Sequence, residues 1–225
     1  MLKAIIFDFN GVISNDEPIH LSSMLKVLEE ECILIPLDEY NIKYLGRDDR
    51  DCFRLAFEQT GRFISPEKML SLIQRKSVYY LESVRQKLRV FPGVASFIEQ
   101  AHSHYELAVA SGALRSEIEF VLNGLGLRNR FRCIVSSHEI DRGKPAPDIF
   151  LKALEDLNVN SRRGVILPEH CLVIEDSRAG VTAALSAGMK CLAVTNTYSA
   201  SDLAEAHQVV TSLNLSPDSL QHLFS

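Results

Sequence analysis

No two cysteines stand at metal-ligand spacing, and no apolar run is long enough to cross a membrane as a helix. The first absence leaves no zinc pattern; the second leaves no transmembrane span to expect. Five cysteines (Cys32, Cys52, Cys133, Cys171 and Cys191) are scattered, odd in number, and several are set in apolar stretches. Buried free thiols in a reducing compartment are expected, not a disulfide framework. The net charge of −5 over 225 residues gives no broad electrostatic footprint for nucleic acid. No internal repeat or low-complexity segment is present. The chain starts Met1-Leu2-Lys3-Ala4-Ile5-Ile6-Phe7, entering a strand at once without a cleavable signal. The expected setting is cytoplasmic, with no nucleic acid and no membrane as partner, for a monomer or a weak homodimer.

What is there is ordinary for a globular protein: 46% hydrophobic and 24% charged residues. The length suits one substantial α/β domain with a smaller inserted one. Short apolar runs alternate with helical periodicity, the pattern of a parallel sheet covered by helices. Strands are expected at Lys3–Phe7, Glu106–Ala110, Cys133–Ser136, Cys171–Glu175, Lys190–Thr195 and Gln208–Val210. Helices are expected near Val94–His104, Arg115–Leu122, Pro147–Leu157 and Ala179–Ala187, the last ended by Gly188 in a left-handed position. Residues 15–90 break the alternation and read as helical throughout, with Leu21, Met24, Leu25 and Leu28 on one apolar face. Further helices there are expected at Asp51–Gln59 and Pro66–Leu88. Residues 1–14 and 91–225 then form the α/β core, and residues 15–90 a helical insertion.

Four segments carry the chemistry. Phe7-Asp8-Phe9-Asn10-Gly11-Val12 ends an apolar strand in an acid and a glycine turn, and ligands of open α/β sheets bind beyond such strand ends. Asp8 can there be a nucleophile, a metal ligand or both, and Gly11 lets the backbone turn sharply. Val109-Ala110-Ser111-Gly112 places a hydroxyl at a second strand end, where Ser111 and the nearby amides, those of Gly112 and Ala113, can bind a phosphoryl oxygen. Gly143-Lys144-Pro145-Ala146-Pro147-Asp148 holds a lysine between stiff neighbours, suited to a fixed counter-ion for phosphate. Val173-Ile174-Glu175-Asp176-Ser177-Arg178-Ala179-Gly180 ends a third strand in two adjacent carboxylates, whose repulsion a hard cation relieves. An acid, a hydroxyl, a lysine and an acid pair on one rim converge on phosphoryl transfer.

These four segments, in this order and with a helical insertion after the first, resemble the haloacid dehalogenase superfamily. The resemblance is nearest to its phosphoglycolate phosphatase and β-phosphoglucomutase branch, and it spans essentially the whole chain. It implies a Rossmann-like three-layer parallel-sheet core with an inserted α-helical cap. It also implies an aspartyl-phosphate on Asp8, a phosphoryl contact from Ser111 and charge balance from Lys144. Mg2+ would be held by Asp8, Glu175, Asp176 and the backbone carbonyl of Asn10, and the substrate would be a small phosphorylated metabolite.

Asn10 departs from the resemblance, because phosphotransferases of the family carry a second aspartate there for proton transfer. An amide can hydrogen-bond but cannot exchange a proton in that way. The chain is then slow or specialised, or uses another acid, or carries Asn10 as a change that traps a complex. His20, in the acid-rich Asn15-Asp16-Glu17-Pro18-Ile19-His20 hinge, could assist the proton transfer. Arg47 or Arg50, in the Tyr44–Arg50 segment, could grip a distal phosphate or carboxylate. The leading expectation is a phosphatase. A sugar-phosphate mutase and a catalytically weak phosphometabolite-binding or regulatory protein are the alternatives.

Overall fold

The computed structural model describes residues 1–44, 47–87, 89–159 and 164–224. Leu45 and Gly46 of the arginine-bearing segment, and the expected helix end at Leu88, lie outside the described residues. Two compact units emerge, one of Met1–Asn15 with Arg89–Ser225, the other of Asp16–Leu88.

The first unit is built on a six-stranded parallel sheet. Its strands are β1 (Ala4–Phe7), β2 (Glu106–Ala110), β3 (Cys133–Val135), β4 (Cys171–Glu175), β5 (Lys190–Val194) and β6 (Gln208–Val210), in the order β3-β2-β1-β4-β5-β6. The fold is therefore α/β and Rossmann-like, as expected, and β1 is central. Every residue of β1 and β4 is buried, which is why neither shows polar alternation. Pairing sets Phe7 beside Val109 of β2 and Ile174 of β4. Asp8 thus leaves the sheet between the ends of two strands, at the point where the strand order reverses.

Helices cover both faces, giving three layers. Ala4 and Ile6 belong to one core with Ile149, Phe150 and Ala153 of α7 (Asp148–Asn158) and Val181, Ala183 and Ala184 of α8 (Arg178–Ser186). On the other face, the Phe7 ring meets Phe97 of α5 (Val94–His104) edge-on, with centroids 6.0 Å apart. The remaining core helix, α6 (Arg115–Gly124), runs two residues longer than the apolar pattern indicated. Helix α7 starts at Asp148, with Pro147 as its cap and not its first residue. Gly188 takes φ +73°, the left-handed end foreseen for α8.

Among its described residues the second unit has helices and no strand: α1 (Glu17–Glu30), α2 (Leu37–Lys43), α3 (Asp49–Gln59) and α4 (Pro66–Lys87). The buried face of α1 is Ile19, Ser23, Met24, Val27 and Leu28. Leu21 and Leu25, expected at its centre, are half-buried flanks. The seam follows the 24, 27, 28 spacing against α4, so the leucine count misplaced its axis. The cysteines are all free, but Cys32 is exposed and Cys133 half-buried, so burial holds only for Cys52, Cys171 and Cys191. Cys32 follows the end of α1 in a left-handed conformation (φ +59°), at the edge of the unit and not in its core. Among the described residues, no helix is long and apolar enough to cross a membrane.

Candidate active site

Asp8 extends the β1–β4 ladder by one bond, its N–H donating to the Ile174 carbonyl at 2.9 Å. Its carboxylate Oδ1 accepts from Lys144 Nζ at 2.6 Å, and the same ammonium donates to Glu175 Oε1 at 2.5 Å. Lys144 comes from the loop between β3 and α7, and its ammonium lies 5.0 Å from the centroid of the Phe150 ring. Glu175, fully buried, is satisfied on its other oxygen by the Asp176 N–H, the Ser177 N–H and the Ser177 hydroxyl, each at 2.9 Å. Ser177 also caps α8, accepting from the Gly180 N–H at 3.0 Å. Gly180 is needed for room: a Cβ there would lie 1.8 Å from Glu175 Cδ.

Gly11 turns the chain after Asn10 at φ +78°, and a Cβ there would fall 1.8 Å from Asp176 Oδ2. The turn is closed by Gly11 N–H to Ser14 O and Ser14 N–H to Phe9 O, each at 2.9 Å. The half-buried Asn10 faces Ser14 in a backbone bridge within it. Ser111 is buried at the end of β2, and its hydroxyl accepts from the Ala113 N–H at 3.3 Å. In this arrangement the Ala113 amide proposed for substrate is engaged by Ser111.

Asp8, Glu175 and Asp176 each offer an oxygen within 4.8 Å of the others. Three carboxylates face one ammonium, so negative charge is in excess. Burial pushes the Asp8 carboxyl up; Lys144 offsets this only in part and Glu175 adds to it, leaving it at about 6. Burial, then the charges of Glu175 and Asp8, raise Asp176 well above the ordinary carboxylate range. Burial alone would lower Lys144, but Asp8 and Glu175 together hold its pKa above the usual lysine value. The donor set is oxygen only, buried and over-charged, which suits a hard divalent cation and not zinc or copper.

Asp176→Asn tests this excess of charge. A carboxyl whose folded pKa lies above its unfolded one opposes folding when ionised and stops doing so once protonated. In chelator-treated protein the variant should therefore out-melt the unaltered chain at alkaline pH, by ~2–4 °C. The gap should narrow as pH falls below the raised pKa of Asp176 and close only near the ordinary value of 3.8. Parallel melting curves across that range would show that no charge is in excess.

His20 and Arg47 belong to the second unit. There His20 Nδ1 lies 2.5 Å from Lys76 Nζ, its Nε2 lies 3.6 Å from Asp16 Oδ2, and its ring lies tilted at 35° against Tyr80, centroids 4.3 Å apart. Tyr80 donates to Asp16, and Lys76, almost wholly buried, pairs with Asp49 at 3.0 Å. Burial raises the pKa of neighbouring Glu17. Arg47 is exposed, its Nε donating to the Lys43 carbonyl at 2.7 Å. Sequence reasoning missed Lys76, Ser177, Asn196 and Thr197. Ser177 alone carried a signal, as a cap residue before a helix.

A parallel sheet in this order, with a lysine and three acids gathered at its carboxyl rim, places the chain among Rossmann-like α/β proteins with an acidic, oxygen-rich site. More narrowly, the chain belongs to the haloacid dehalogenase-like hydrolase family, whose pattern matches residues 5–194. It is 30% identical to a phosphorylated carbohydrates phosphatase of Thermotoga maritima, covering 84% of this chain and 83% of the relative. Protein CbbY of Rhodobacter capsulatus is 28% identical over 89% of this chain and 88% of its own. The solved β-phosphoglucomutase of Clostridium difficile superposes with a TM-score of 0.86 at 27% identity, covering 100% of this chain and 97% of that one.

Proposed function

We propose that the chain is a magnesium-dependent phosphatase of small phosphorylated metabolites, sugar phosphates above all, with Asp8 as nucleophile. One observation carries the reading: Asp8 stands beyond the central strand with one oxygen on Lys144 and two further acids within ligand reach. Bound Mg2+ would be held by Asp8, Asp176 and Glu175 with the Asn10 carbonyl, and would neutralise charge on the phosphoryl group.

The other oxygen of Asp8 attacks phosphorus, and the bond from phosphorus to the ester oxygen breaks. The leaving alkoxide takes its proton from solvent water, since the Asn10 amide has none to give. Water then attacks the aspartyl-phosphate, its P–O bond to Asp8 breaks, and phosphate leaves with one proton passing to solvent. Lys144 stays protonated throughout and keeps Asp8 aimed. Ser111 and the Gly112 amide are assigned to the phosphoryl oxygens, and His20 and Arg47 to substrate choice. Five free thiols support a reducing, cytoplasmic setting.

The likeness to a β-phosphoglucomutase favours one alternative, transfer between two positions of a sugar phosphate. A panel of sugar phosphates, assayed for phosphate release with magnesium and with EDTA, separates the readings. Release with magnesium that falls at least ~100-fold in EDTA is expected. A doubly phosphorylated sugar with little free phosphate would favour the mutase. Saturable binding without either product would sink both and leave a binding protein.

A further inference from the structure

The loop that follows β5 reaches the acid cluster with two side chains. Thr197 Oγ1 donates to Asp176 Oδ2, and Asn196 Nδ2 donates to the Gly11 carbonyl at 2.7 Å. The loop is itself anchored to β6 by Thr195 N–H to the Val210 carbonyl at 3.0 Å. The Asp176 carboxylate fills the space beside Gly11 that a Cβ would take, 1.8 Å from its Oδ2. Asp176 is thus held between the Gly11 backbone and the Thr197 hydroxyl, and Asn196 ties that same backbone to the same loop. Loops after β1, β4 and β5 all meet at one carboxylate.

We infer that Thr197, backed by Asn196, is a positioning residue that locks the Asp176 carboxylate in one orientation and thereby selects Mg2+ over Ca2+. The inference rests on the proposed metal-binding role of Asp8 and Asp176. Magnesium demands near-ideal octahedral geometry at short distance, whereas calcium accepts more oxygens in flexible arrangements, including bidentate carboxylates. A locked carboxylate commits one oxygen to Thr197 and presents the other singly, which suits the smaller ion. Released, it can swing to offer both oxygens, which suits the larger. Glu175, fixed in orientation by Lys144 and three donors, has no such freedom to swing. Asp176 is therefore where selectivity is set.

Binding, not turnover, is the readout. Bound Mn2+ is displaced from the full chain by Mg2+ or by Ca2+, and free Mn2+ is followed by electron paramagnetic resonance. Thr197→Val keeps the shape and removes the donor; Thr197→Ser keeps the donor. The valine variant should bind Mg2+ ~10-fold more weakly with Ca2+ changed less than ~3-fold, and the serine variant should track the unaltered chain. Asn196→Ala, which leaves Thr197 in place, should lower Mg2+ affinity in the same direction by ~3–10-fold. Unchanged Mg2+ affinity in both Thr197→Val and Asn196→Ala overturns the inference. So does an equal loss of both cations, or a serine variant as weak as valine. An unaltered chain that binds none of the three cations overturns the metal reading beneath it, a result separable from all of these.

Discussion

Asp8→Asn is expected to end magnesium-dependent phosphate release, with a loss on the order of 10⁴-fold or more. The amide matches the carboxylate in shape, and its oxygen can still accept from Lys144, whose Nζ lies 2.6 Å from Asp8 Oδ1. It cannot attack phosphorus to give an acyl phosphate. The variant also relieves one of three crowded charges, so its melting temperature should not fall, and inactivity will not reflect unfolding. A chemical trap adds a second readout. Hydroxylamine converts an acyl phosphate into a hydroxamate, which mass spectrometry should find on residue 8 of the unaltered chain during turnover and never in the variant. Full turnover by Asp8→Asn would move the nucleophile elsewhere and dismantle the mechanism built on it.

The residues that were legible from sequence share a physical setting. Asp8, Ser111, Glu175 and Asp176 follow unbroken apolar runs, and the burial of all of β1 and β4 explains why those runs are unbroken. Lys144 stood out because glycine and two prolines stiffen its loop. What stayed hidden depends on chain segments distant in sequence. Thr197 looks like any loop threonine, and only the return of β5 beside β4 brings it to Asp176, 21 residues earlier. Gly180 reads as a weak point in a helix, yet its value is the space it leaves for the Glu175 carboxylate. Lys76 reads as a solvated charge, but His20 and Asp49 receive it inside the helical unit. In the same way, α1 showed its helical period plainly and its buried face only approximately, because the facing helix decides which flank is covered.

Asn10→Asp is expected to raise turnover on alkyl phosphates by ~10²–10⁴-fold, the usual contribution of a placed general acid–base group. The backbone there is held by the Gly11 turn and the bridge to Ser14, and aspartate matches asparagine in shape, so the Asn10 carbonyl should keep its place. A carboxyl at position 10 adds a further negative charge two residues from Asp8, which favours a raised pKa, and a raised carboxyl is the form that can protonate a leaving oxygen near neutrality. The two steps can be told apart by leaving group. An aryl phosphate with a weakly basic leaving group needs no acid in the first step, but its aspartyl-phosphate still needs a base for hydrolysis. The unaltered chain should therefore release about one equivalent of phenol in a burst and then turn over slowly. Asn10→Asp should abolish the burst and speed the steady state, because hydrolysis is no longer limiting. If both chains instead show the same burst and the same steady rate, proton transfer is made by another group, and His20→Ala in the unaltered background becomes the decisive comparison. A rate that then collapses would identify the histidine as the stand-in for the missing acid, and an unchanged rate would leave solvent water as the proton carrier in both steps.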